Sequence, residues 1–177
     1  MGKYQGIVIS GFGGQGILSV GRIIAQAGMI DGLEVSWLPS YGPEMRGGTA
    51  YVHVILSDEK IGSPLLNSST ALIAMNTPSF EKYKGMVVDG GIVIVDGSLV
   101  EGQLTDDRRE FYSIPATALA DKYSSRFANI ILIGKLIART DAVKVESFEK
   151  ALYKVLPQKY QKMIPEEMEM LKLGMEI

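Results

Sequence analysis

Six residues, Gly11-Phe12-Gly13-Gly14-Gln15-Gly16, separate a short apolar run from a long helical pattern. That junction constrains the fold more than anything else in the chain. The run before it, residues 6–10, carries Ile7, Val8 and Ile9 in succession, which suits a strand buried on both faces, as in parallel sheets. After it, Ile17, Val20, Ile24 and Ala27 recur at three- and four-residue steps and predict a helix over residues 17–30. Asp31-Gly32 supplies the stop. Residues 34–38 read as a second strand. Strand, glycine turn, helix and strand within ~35 residues make a βαβ unit. The expected fold is therefore α/β: a three-layer, Rossmann-like, mostly parallel sheet with helices on both faces. Gly21 and Gly28 share one face of the helix. Each costs about 1 kcal/mol of helix propensity, so close packing on the sheet is expected there.

Further strands are predicted over 49–57, 71–75, 91–96 and 111–114, with a weaker apolar run at 86–89 set apart by Gly90. Helices are predicted over 77–83, 115–122, 129–139 and 147–156, the last stopped by Pro157. Residues 39–48 hold Pro39, Pro43, Gly42, Gly47 and Gly48 and read as irregular throughout. The tail over 165–174 reads as a helix with Glu166 and Glu167 at its positive end. One α/β domain over 1–160 with a helical tail over 161–177 is the expected organisation.

Gly11, Gly13 and Gly16 fit G-x-G-x-x-G between strand and helix. The first glycine permits the tight turn, the second a close backbone approach to a ligand, the third helix–strand packing, and the helix start offers free N–H groups to an anion. Gly11, Gly13, Gly14, Gln15 and Gly16 are thus the candidate cofactor-binding residues. A dinucleotide site also needs an acid at the end of the second strand, but that strand ends Ser36-Trp37-Leu38-Pro39-Ser40, and Glu34 lies at its start. The turn therefore reads either as anion-binding or as a tight structural corner. In the second glycine-rich run, Gly42, Pro43, Glu44, Arg46, Gly47 and Gly48 form a candidate ligand or interface loop. Asp89 and Asp96 are placed at strand ends, where ligand contacts are common. No catalytic constellation is identified.

A net charge of −2 with scattered Arg and Lys gives no electrostatic term for nucleic acid or an anionic membrane. The sequence has no cysteine, hence no thiolate set for a disulfide, zinc site or iron–sulfur cluster. His53 is its sole histidine and reads as a polar-facing or hydrogen-bonded strand residue; no metal site is expected. No run approaches the ~20 apolar residues of a membrane span, and the apolar run at 7–9 is too short for a secretory signal. The cytoplasm is the expected compartment.

Three segments together resemble one family: Ile9-Ser10-Gly11-Phe12-Gly13-Gly14-Gln15-Gly16, then Ser40-Tyr41-Gly42-Pro43-Glu44-Met45-Arg46-Gly47-Gly48, and Pro115-Ala116-Thr117 with the later helix from Asn129. They resemble the gamma subunit or domain of 2-oxoacid:ferredoxin (or flavodoxin) oxidoreductases. The likeness runs over residues 4–156. It implies a multi-subunit assembly that oxidatively decarboxylates a 2-oxoacid to an acyl-coenzyme A and passes electrons to ferredoxin. It also implies alpha-, beta- and delta-type partners, with thiamine diphosphate and iron–sulfur clusters held by them. This chain would then be a scaffold, inactive alone, and a coenzyme A-proximal element. Two other readings compete: a stand-alone Rossmann-type nucleotide-binding enzyme, and a non-catalytic interaction module suggested by Met163, Met168, Met170 and Met175 in the tail.

Overall fold

The computed structural model describes residues 2–41, 48–102 and 107–177. Strand β1 (Tyr4–Phe12) runs through the middle of a six-stranded sheet. Ile7, Val8 and Ile9 are all fully buried, as expected of a strand covered on both faces. The other strands are β2 (Glu34–Tyr41), β3 (Thr49–Ser57), β4 (Ser69–Ala74), β5 (Val87–Asp96) and β6 (Glu110–Ile114). Their spatial order is β2-β3-β1-β4-β5-β6. The pairs β1/β4, β4/β5 and β5/β6 are parallel, while β3 is antiparallel to both β1 and β2. The sheet is mostly parallel, as expected, with one reversed strand.

That reversed strand changes the first βαβ unit. Strands β1 and β2 do not pair; β3 fills the slot between them. Val52, Val54 and Leu56 on one face of β3 and Ile55 on the other are buried, so this strand is covered on both faces. Strand β2 carries Glu34, Ser36, Pro39 and Ser40 and goes to the sheet edge. The edge also tolerates Pro39, which cannot donate to a ladder. Regular pairing consequently reaches Ser40 and Tyr41, further than the proline-based expectation for residues 39–48. A second difference lies in β5. Residues 87–89 and 91–96 belong to one strand, with Met86 left in the turn before it, and Gly90, at φ 78°, absorbs an irregularity in the pairing with β4 between Ser69 and Ala71.

Helices cover the two faces unequally. One face carries α1 (Ile17–Ile30), α3 (Ala116–Ala120), α4 (Ala128–Thr140), α5 (Val145–Val155) and α6 (Ile164–Glu176), whose apolar residues form one continuous core with Ile7, Ile9, Val52 and Ile73. The other carries α2 (Thr77–Tyr83), whose Phe80 and Tyr83 pack with Val8, Ile55, Leu72 and Leu66. Asn76 caps α2 by accepting from Ser79 N–H at 2.8 Å. Close approach is built from glycine: a Cβ on Gly21 would sit 2.6 Å from Val52 Cγ1, and one on Gly28 2.5 Å from Leu56 Cδ2. Helices α4 and α6 meet more tightly still, because a Cβ on Gly134 would collide with the Leu171 carbonyl oxygen and one on Gly174 with that of Ile131. Met168 and Met170 are buried in this layer. Among the described residues, no helix is long and apolar enough to cross a membrane.

Candidate functional site

The glycine turn is held by its own glutamine. Gln15 Oε1 accepts from Phe12 N–H at 2.7 Å, and Gln15 Nε2 donates to the Met75 carbonyl at 3.1 Å. One side chain thus ties the end of β1 to the end of β4. From the far side Asn129, near the start of α4, donates Nδ2–H to the Gln15 carbonyl at 3.0 Å. The glycines divide their work differently from the dinucleotide pattern. Gly11 is still within β1, and a side chain there would strike Gln15, Ile17 and Met75. The turn itself falls on Gly14 and Gly16, at φ 94° and 75°, a region costly for other residues. Gly16 is pressed against Asn129 of α4 rather than against the sheet. Gly13 N–H donates to the Gly48 carbonyl at 3.1 Å, which joins the last residue of the second glycine-rich run to the first. Gly42, Pro43, Glu44, Arg46 and Gly47 lie outside the described residues.

Helix α1 begins with no side-chain cap and no acid in its first turn, so its first N–H groups carry an uncompensated positive end. It opens on a cavity of about 550 Å³ lined by Gly14, Gln15, Gly16 and Ser19, by Met75 after β4, and by Leu99 and Thr117. The cavity lies beyond the carboxyl ends of β1, β4 and β5. Here the chain leaves β1 for one face of the sheet, through α1, and β4 for the other, through α2. Such a switch point is where open α/β sheets bind ligands. Arg126, Leu156, Pro157, Tyr160 and Glu167 also line it, and Asn129 does so from its place against the turn.

Arg126 places its guanidinium 5.0 Å from the centre of the Tyr160 ring. Glu167 is only 8% exposed, and burial pushes its carboxyl up to about 7 against the lowering pull of Arg126. Asp96, fully buried at the end of β5, is engaged by the protein: it accepts from Ser98 N–H at 3.0 Å, from Thr117 N–H at 3.3 Å and from the Thr117 hydroxyl. It therefore anchors the start of α3. Asp89 sits within β5, not at its end, and is exposed, 3.9 Å from Arg108. His53 is buried away from the cavity; its Nδ1 accepts from Leu66 N–H at 3.4 Å, and desolvation lowers its pKa. Among the described residues, no group of three or more His, Asp or Glu side chains is placed to hold a metal ion.

Sequence reasoning marked part of this cavity's lining and missed the rest. Asn129 is the one polar residue in the stretch from Ala128 to Ile133, a signal that could have found it. Arg126, Tyr160 and Glu167 carry no local signature. The antiparallel β3 also removes the dinucleotide geometry, since the strand beside β1 on that side ends at the far rim, away from the turn.

Fold and crevice define the class: an open α/β sheet with a glycine-turn pocket at its switch point. The chain belongs to the pyruvate ferredoxin/flavodoxin oxidoreductase family, whose model matches residues 6–177. It is 37% identical over 148 residues to the ketoisovalerate oxidoreductase subunit VorA of Methanothermobacter thermautotrophicus, covering 82% of this chain and 31% of that protein. The chain thus spans about a third of that relative's length. It is 38% identical over 158 residues to the 2-oxoglutarate synthase subunit KorC of Methanocaldococcus jannaschii, covering 85% of this chain and 83% of that one. The crystal structure of the keto/oxoacid ferredoxin oxidoreductase gamma subunit from Geobacter sulfurreducens matches with a TM-score of 0.80 at 30% identity, over 97% of this chain and 96% of that one.

Proposed function

We propose that this chain is the gamma component of a multi-subunit 2-oxoacid:ferredoxin oxidoreductase, and that its glycine-turn cavity takes part of coenzyme A. The carrying observation is the uncapped start of α1 opening, through Gly14, Gln15 and Gly16, on a switch-point cavity. A phosphate fits that position by charge and by its free N–H donors. In this reading Gly14, Gln15 and Gly16 meet the ligand, while Gly11 and Gly13 shape the turn behind them. The run from Gly42 to Gly48, through Pro43, Glu44, Arg46 and Gly47, serves as a ligand or interface loop in this reading. The sequence has no cysteine, so clusters and electron transfer to ferredoxin fall to alpha-, beta- and delta-type partners, together with thiamine diphosphate. The relatives' names, which make each a subunit, support a multi-subunit assembly. The assembly works in the cytoplasm.

A tagged copy purified from its own cells tests this. The chain is expected to bring down larger chains that contain iron and thiamine diphosphate. The eluate is expected to reduce a viologen dye only when a 2-oxoacid and coenzyme A are both present. A stable monomer with activity of its own would refute the assignment.

A further inference from the structure

Glu167 is a mostly buried residue whose carboxyl has no hydrogen-bond partner among the described residues. It is more than nine-tenths buried, lines the cavity together with the glycine turn, and makes no hydrogen bond or ion pair with any described residue. Its oxygens are not among the fully buried unpartnered atoms, so they are open to the cavity and within reach of a ligand there. Arg126, the cation beside it, lies over the Tyr160 ring instead of pairing with it. The cavity consequently has two unlike poles. At one, Gly14 and Gly16 present the start of α1 to an anion; at the other, a carboxyl waits for an N–H donor between apolar walls from Leu156, Pro157 and Tyr160. A simple phosphate would use one pole, and a simple amine the other. A flat, aminated nitrogen heterocycle bearing a diphosphate uses both, and the space of about 550 Å³ is in the range of small-molecule sites.

We infer that Glu167 is a specificity-determining residue that accepts a hydrogen bond from the exocyclic amino group of an adenine-type nucleotide whose phosphates sit at the Gly14–Gly16 turn. The inference rests on the proposed nucleotide-binding role of the cavity and adds the group that reads the base. Tail helix α6, which bears Glu167, thereby becomes part of the ligand site.

Calorimetric titration of the full chain tests it with three probes: ADP, purine riboside 5′-diphosphate, in which hydrogen replaces the amino group, and inorganic pyrophosphate. One neutral hydrogen bond corresponds to a discrimination of about tenfold. ADP is expected to bind about tenfold more tightly than the purine analogue. Glu167→Gln, which keeps an acceptor oxygen, should retain that ratio, and Glu167→Leu should bring it to unity. Equal affinities for the two nucleotides in the unaltered chain, or a ratio that survives in Glu167→Leu, would overturn the inference while leaving the anion-binding turn intact. Binding of pyrophosphate alone would overturn it as well. If none of the three probes binds, the cavity's nucleotide role falls together with the inference.

Discussion

Gly134→Ala sets two well-known effects against each other. In an isolated helix the substitution would be favourable, because alanine exceeds glycine by about 1 kcal/mol in propensity. In this protein the added methyl meets the Leu171 carbonyl oxygen and lies 3.0 Å from Met175 N and 3.1 Å from the Gly174 carbonyl carbon. All three are backbone atoms of α6, so no rotamer change relieves the contact. The helices must separate, and the fully buried Ile131 and Leu171 at this crossing lose packing as they do. Overpacking of this kind costs about 1–3 kcal/mol, and a backbone obstacle places it at the upper end. After the propensity gain, a net loss of about 2 kcal/mol remains. With a urea m-value of about 2 kcal/mol/M, the midpoint should fall by about 1 M at unchanged slope. A variant with a midpoint equal to or above that of the unaltered chain, at the same slope, would refute the claim that α4 and α6 touch through glycine.

Asn129→Ala removes the donor to the Gln15 carbonyl and should lower stability by about 1 kcal/mol, read as a drop of roughly 2–4 °C in melting temperature; an unchanged melt would mean the bond is idle. Gly16→Ala forces a side chain into left-handed backbone and against Asn129, at a cost of about 1–2 kcal/mol from conformation alone, and should weaken pyrophosphate binding, whereas tighter binding would count against the turn as the anion site. Glu167 titrates higher in the folded chain than unfolded: its carboxyl is raised from 4.5 to about 7. Folding therefore takes up a proton between those values, and stability falls as pH rises through that window and stays lower above it. Glu167→Gln should remove this slope, gaining about 1–2 kcal/mol over the unaltered chain at pH 8 relative to pH 4, a figure reduced for screening at an open cavity; parallel urea midpoints across that range would refute it.

Local pattern revealed what was local. The helix over Ile17–Ile30, the strand over Thr49–Ser57 and the helix over Thr77–Tyr83 are each legible, because each has its own apolar spacing and a proline, glycine or asparagine at its boundary. Strand order was not legible. An all-apolar stretch reports burial on two faces but does not name its neighbours, so the insertion of β3 beside β1 had no sequence signature. Gly90 looked like a break and proved to be an irregularity inside one strand. The site divides the same way. The glycine turn is contiguous and could be read, whereas Arg126, Tyr160 and Glu167 stand more than 100 residues away along the chain and reach the cavity only through the packing of α6 and of the turns that lead into α4 and α6.

The direction of β3 decides what stands beside the glycine turn. It is nine residues long, about 30 Å at the rise of an extended strand. Because it runs against its neighbours, its first residues stand beside the last residues of β1, and Gly48 comes within a hydrogen bond of Gly13. Were the strand turned to match the rest of the sheet, Gly48 would stand at the opposite edge, a full strand-length from the turn. The two glycine-rich runs would then have no shared work. A single reversal therefore joins two points 35 residues apart in the sequence, Gly13 and Gly48, by one backbone hydrogen bond, and sets the end of the second run against the turn that closes the first.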